Sequence, residues 1–290
     1  PLKNGYHERI AEKIETSQIA GGLPLSDLAY HYAQAGNKEK AVKYALAAGK
    51  DALARFGNSE AARHFTYVID TALDEPKYAN ERAQALEGLG DSLFARSLFE
   101  EATKVFEQVS HTAESGVAKL RALRKAMTSS RWRGDIVHSL ELAARAQDLA
   151  TFDRLEYGRV RMLRGIVTGL RGNVEEGLMD LEDALRVFEE EYSLSDLAAA
   201  LRESANFYVS DFQVEKALRM VMRSIAMCED LKDFREQMET YFTAGNIFFN
   251  CALNNDALDS YKKAIEVGEK IGDYNTIAWV YVYSGCYLNP

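Results

Sequence analysis

From about residue 80 onward the chain repeats one pattern. An amphipathic run with apolar residues at helical spacing is followed by a short polar break, and then by a second amphipathic run that opens on a small residue. The third unit reads Leu86, Leu89, Gly90, Leu93, then Ala102, Phe106, Val109. The same register fits Leu123, Ala126, Met127 with Ser139, Ala143, Ala146, and then Gly165 with Gly177, Leu181, Ala184. It continues through Leu201, Ala205, Tyr208 with Ala217, Val221, Ser224, and through Tyr241, Gly245, Phe248 with Ala257, Tyr261, Ala264. The small residues Ala102, Ser139, Gly177, Ala217 and Ala257 recur at a spacing of about 37 to 40 residues. A fixed period of this size predicts stacked helix pairs, because each pair can bury its apolar face only against the next. The small residues mark the crossing of the two helices, where close approach is needed, and the large ones fill the grooves between them.

Turn chemistry punctuates the pattern. Gly134-Asp135 and Gly172-Asn173 fall between the two helices of a pair, where glycine can take the left-handed conformation that ends a helix. Leu231-Lys232-Asp233-Phe234 and Ile271-Gly272-Asp273-Tyr274 fall between pairs. A last helical run carries Tyr281, Gly285 and Leu288, one full repeat after Tyr241, Gly245 and Phe248, with no second helix following. The region 1–75 is compressed. Leu28, Ala29, Tyr32, Gly36, Ala41 and Ala45 make one unit, and Ala48, Gly49, Ala52, Ala61, Phe65 and Val68 another, so that a helix over about 38 to 56 serves both. Pro76 predicts a break near positions 74 to 80. The organisation expected is a compressed helical region over 1–75, then an array of about five units plus an unpaired final helix over 76–290.

These motifs resemble the tetratricopeptide repeat, in a form of about 40 residues per unit, longer than the commonest form. Repeats of this length are similar to those of kinesin light chains, mitotic-spindle adaptors and the sensor arms of STAND-class signalling ATPases. The stretch His7 to Glu12 followed by Leu28 to Gly36 looks like the segment that follows the ATPase and winged-helix modules of STAND-type proteins. The resemblance implies an all-α fold, a right-handed α-α superhelix of antiparallel helix pairs, acting as a protein- or peptide-binding sensor or scaffold of a larger signalling protein. A start without methionine and an end inside a helical pattern agree with a fragment.

Composition narrows the function classes. With 47% hydrophobic and 27% charged residues and only four prolines, the 290-residue chain suits helix throughout and has ample core. No apolar run reaches the length of a membrane span, and no signal-peptide pattern opens the chain, so it is read as soluble and cytoplasmic with no membrane partner. Three cysteines, Cys228, Cys251 and Cys286, make no disulfide framework or metal motif. Five histidines show no metal spacing, and no phosphate-binding loop occurs, since Gly49-Lys50 lacks the upstream glycine and sits in a helix. No cofactor, metal or catalytic site is proposed, and the chain is read as a non-enzyme.

Charge is uneven. The net value is −9, yet residues 119 to 171 hold twelve Lys or Arg against five Asp or Glu. A basic middle predicts an anionic partner surface, an acidic protein segment or, as the alternative, RNA or DNA. In the repeat family the resemblance points to, fixed positions of the first helix face the concave groove. Counted from the small-residue anchors, they are Arg121, Arg124, Lys125, Thr128, Arg131 and Trp132, then Arg161 or Met162. Arg202, Asn206 and Ser210 follow, then Phe242, Asn246, Phe249 and Asn250, and last Trp279, Val282, Tyr283 and Cys286. Asparagine offers a donor and an acceptor to the backbone of an extended peptide, and arginine adds a fork for carboxylate. Ile277, Val280, Tyr281 and Leu288 are expected to be exposed on the final helix, where they provide a surface for homo-oligomer formation.

Overall fold

A computed structural model describes residues 2–17, 23–73 and 75–288. Among the described residues there are fifteen α-helices, one 3-10 turn and no strand. The helices are α1 (Leu2–Thr16), α2 (Leu25–Ala35), α3 (Lys38–Ala54), α4 (Asn58–Thr71), α5 (Ala79–Ala95), α6 (Phe99–Thr112), α7 (Gly116–Arg133) and α8 (Ile136–Gln147). They continue as α9 (Arg154–Leu170), α10 (Val174–Glu190), α11 (Leu194–Ser210), α12 (Val214–Leu231), α13 (Phe234–Asn250), α14 (Asn254–Ile271) and α15 (Tyr274–Leu288). The chain divides into two compact units, residues 1–145 and 146–290. Consecutive helices pack on each other from α1 to α7 and from α9 to α15, and so do α3 with α5, α9 with α11, and α11 with α13. First helices of successive pairs therefore form one layer in the second unit, and α3 is shared by its neighbours α2 and α4 in the first.

The small residues of the repeat sit where the two helices of a pair cross. Ala102, Ser139, Ala217 and Ala257 are buried near the starts of α6, α8, α12 and α14. At the crossing of α9 and α10 both small residues are glycine. A Cβ on Gly165 would lie 2.7 Å from the Gly177 carbonyl oxygen, and one on Gly177 would lie 2.6 Å from the Gly165 oxygen. Backbone touches backbone here, so no side chain can move aside to admit a methyl group.

Glycine ends helices as expected at Gly134 and Gly172, with φ of +87° and +103°. The same left-handed turn recurs without glycine at Phe56, Ser97, Tyr192, Phe212, Lys232 and Ala252, with φ between +54° and +60°. The neighbouring helices fix the path, and these residues accept a conformation costing roughly 1 kcal/mol or more relative to glycine. Near residue 76 the break is short. Pro76 opens the 3-10 turn Pro76–Tyr78 and α5 begins at Ala79, while the Arg82 guanidinium donates to the Leu73 carbonyl at 2.6 Å across it.

Polar clamps tie the layers. In the first unit the Tyr32 and Tyr44 hydroxyls donate to the Glu15 carboxylate, and Lys40 Nζ reaches Glu15 at 2.8 Å and the Tyr32 oxygen at 3.0 Å. Lys40 foremost, then the two hydroxyls, hold the Glu15 carboxyl down at about 2. The second unit repeats the device with Glu182, Tyr208 and Lys216. At the far end, α15 departs from expectation. Ile277 and Val280 are buried, because α15 lays that stripe against α14 as the first helix of any pair would, whereas Trp279, Tyr281, Val282 and Tyr283 are exposed. The side chains of Leu288 and Cys286 lie outside the described residues.

Candidate partner-binding faces

In the first unit the basic residues of α7 meet acids from α5. Lys125 Nζ lies 2.9 Å from Glu87 and 2.8 Å from Asp91, and Arg121 lies 3.9 Å from Glu87. Burial pushes the Asp91 carboxyl up. It pushes on Glu87 too, but there the Lys125 ammonium, helped by Arg121 and Arg124, outweighs it and the carboxyl falls below its usual value. Trp132 is 57% exposed at the end of α7. Its indole stacks on Phe99 at 6.2 Å, with the Arg131 guanidinium 5.2 Å from the ring centre.

The second unit builds its face from α9, α11 and α13. Here two arginines differ from the sequence expectation. Arg161 turns toward the second helix of its own pair, pairing with the buried Asp180 at 2.9 Å and with Asp183. The position one repeat on is Leu201, which is core, so Arg161 stands in a buried register and its charge must be met inside the fold. Met162 holds the register of Arg202. Arg202 is on α11 as expected, yet it is nearly buried and enclosed by Glu203 at 2.7 Å, Glu236 at 2.7 Å and Glu239 at 3.0 Å. Burial works against its charge, but the three carboxylates outweigh that and hold the guanidinium protonated. Burial also raises the Glu236 carboxyl. The face around Arg202 is therefore acidic in sum, and the fork expected to be open to a partner's carboxylate is taken by the chain's own.

Asn206 on α11 matches Asn246 on α13 one repeat later, and Asn250 follows Asn246 by one helical turn; α11 and α13 touch. The Asn246 carbonyl oxygen accepts from the Tyr261 hydroxyl at 2.7 Å, which fixes the amide and leaves its NH2 as a donor. Phe242 lies beside this pair, its ring edge-on to Tyr283 at 5.5 Å. Ser210 at the end of α11 returns its hydroxyl to the Asn206 main-chain oxygen.

The basic segment is not an open basic surface. At least eight of its twelve cations are ion-paired, with Arg133 on Asp135, Arg145 on Glu107, Arg154 on Glu190, Arg159 on Asp196 and Arg164 on Asp180 joining those above. Most of these acids lie outside the segment. The separations along the chain recur: 34 for Lys125–Asp91 and Arg202–Glu236, 37 for Arg159–Asp196, 38 for Arg145–Glu107. Each pair joins matching helices of successive repeats, falling short of the repeat spacing by up to about six residues, under two helical turns. Opposite charges separated by slightly less than one repeat were the signal in the sequence that would have found them. Among the described residues no helix is long and apolar enough to cross a membrane.

With the crossing geometry and repeat register in hand, comparison with solved structures decides the fold. It is the tetratricopeptide-repeat fold. The structure of apo RapI is similar with a TM-score of 0.68 at 9% identity, covering 93% of this chain and 99% of that one. A Rap protein complexed with competence and sporulation factor is similar at 0.59 and 11%, covering 96% and 90%. The STAND protein of Pyrococcus horikoshii with a tetratricopeptide-repeat sensor is similar at 0.59 and 12%; the match covers 97% of this chain but 42% of that one. No protein-family model and no curated protein matches the sequence. The tetratricopeptide-repeat arrangement explains why α9, α11 and α13 pack side by side in one layer.

Proposed function

We propose that this chain is a protein-binding module whose second unit holds an extended segment of a partner protein across α11 and α13. The observation that carries the reading is the asparagine set Asn206, Asn246 and Asn250, with Asn246 oriented by Tyr261. Side-chain amides in such a row bind main-chain N–H and C=O groups and leave the partner's side chains free to vary. The carboxylates of Glu203 and Glu239, which outnumber Arg202, favour a segment carrying Lys or Arg opposite them. The similar Rap structure, solved in complex with competence and sporulation factor, supports a partner-binding role for this arrangement of helices. In the first unit, Trp132 with Arg131, Arg124 and Arg121 forms a second candidate contact, its indole supplying apolar area and a polar edge.

The test is selection from a random peptide-display library on the full chain. Enriched peptides should carry basic residues and bind the Asn246→Ala, Asn250→Ala double variant about tenfold or more weakly. Absence of enrichment, or equal binding by the variant, would overturn the reading.

A further inference from the structure

A slot of about 480 Å³ opens in the first unit between α2 and α4, with α3 as its floor. Its base is alanine: Ala45 and Ala29 are buried, and Ala33 stands half-buried beside them. Methyl groups at these three positions create the room, since larger side chains would fill it. Tyr30 and Tyr67 supply aromatic walls. The Tyr30 ring is largely exposed yet held edge-on by His7 at 5.9 Å and His31 at 5.3 Å.

The two ends of the slot differ chemically. At one end the Ser26 hydroxyl lies 3.1 Å from Glu60 and 3.1 Å from His64 Nε2, so these polar groups are satisfied among themselves. Burial, and then the neighbouring Arg63, keep the His64 imidazole below its usual range, hence neutral at pH 7. Arg63 also lines the slot, and it makes no ion pair among the described residues. A lone guanidinium beside an apolar, aromatic-walled cavity lacks only an anion with an apolar body. Gln34, at the rim with Arg63, adds an amide donor.

We propose that this slot binds an apolar group bearing a carboxylate, with the body over the alanine floor between Tyr30 and Tyr67 and the carboxylate on Arg63. Amines are disfavoured by the same guanidinium. Free organic acids and peptide C-termini share this chemistry, and the titration separates them.

Calorimetric titration of the full chain uses three probes: 4-phenylbutyrate, its amide 4-phenylbutyramide, and acetyl-Gly-Gly-Phe with a free carboxylate. Saturable binding of at least one acid is expected, with the amide about tenfold or more weaker. Arg63→Gln, a change at an exposed residue, should weaken acid binding by a similar factor, and Ala33→Leu should abolish it. Arg55→Gln, outside the slot, should leave binding unchanged. Tighter binding of the tripeptide assigns the slot to peptide C-termini; tighter binding of phenylbutyrate assigns it to free acids. No saturable binding of either acid, equal binding of acid and amide, or full affinity in Arg63→Gln would each overturn the proposal.

Discussion

The two units share a fold and differ in how they carry charge. Residues 1–145 hold 20 Lys or Arg against 19 Asp or Glu, and residues 146–290 hold 15 against 25. Each unit sets a cation against two acids of a neighbouring first helix, Lys125 against Glu87 and Asp91 in one and Arg202 against Glu236 and Glu239 in the other, with Glu203 of its own helix as a third. Lys125 is a point charge with partial access to water and two partners. Arg202 is nearly dry, and each of the three nitrogens of its planar guanidinium meets a different carboxylate. A repeat geometry can thus be kept while the charge presented to a partner is changed from balanced to acidic.

The largest expected effect tests that contrast. Arg202→Met leaves three carboxylates without their cation in a buried setting and should cost about 3–5 kcal/mol in urea denaturation. Lys125→Met, with more water nearby, should cost clearly less. Adding Glu236→Gln to Arg202→Met should recover part of the loss, since the two groups are coupled. Equal losses at Lys125 and Arg202 would mean that burial does not distinguish the two clusters.

Next in size is the α9–α10 crossing of the second unit. Gly177→Ala sets a methyl against the Gly165 carbonyl and should cost about 1–3 kcal/mol. The matching position in the first unit already carries Ala102, which is buried, so Ala102→Gly should cost about 1–2 kcal/mol, the helix propensity difference plus the lost burial of one methyl group.

A smaller effect separates the tyrosine clamps by pH. The Glu15 carboxyl is depressed from an ordinary 4.5 to about 2, so its contribution is complete above pH 4.5 and is lost as pH falls toward 2. Protection of the α1 amides, corrected for the intrinsic pH dependence of exchange, should fall as pH drops across that window, and Glu15→Gln should remove that pH dependence of protection. The smallest effect is a gain. Phe212 is 91% exposed with φ +59°, at the turn where Gly172 serves the preceding pair, so Phe212→Gly should stabilise the chain by up to about 1 kcal/mol. A loss of stability would show that Phe212 makes a contact its exposure conceals.

Much of the fold was legible because it is periodic. The buried small residues from Ala102 to Ala257, the shared helix α3, the break at Pro76 and the left-handed Gly134 and Gly172 all follow from spacing and turn chemistry. The left-handed turns at Phe56, Tyr192 and Phe212 were not legible, because residue type there opposes a backbone that packing imposes. Counting from anchors put Arg202 on the right helix, but the count sees only one chain position at a time. Of the carboxylates around it, Glu203 is its chain neighbour, whereas Glu236 and Glu239 come from the next repeat, and a local pattern does not reveal that they outnumber it. At Arg161 or Met162 the count left two readings open, because a single step of register separates an outward position from a core one. The slot beneath Tyr30 was hidden because its alanines read as ordinary packing.

Amide hydrogen exchange of the full chain, with and without a peptide from the display selection, tests the assignment of the binding face most directly. Slowed exchange concentrated in residues 202–210 and 242–250 is the expected result, since these stretches carry the asparagine row. Protection confined to residues 119–133, or absent from α11 and α13, would contradict it.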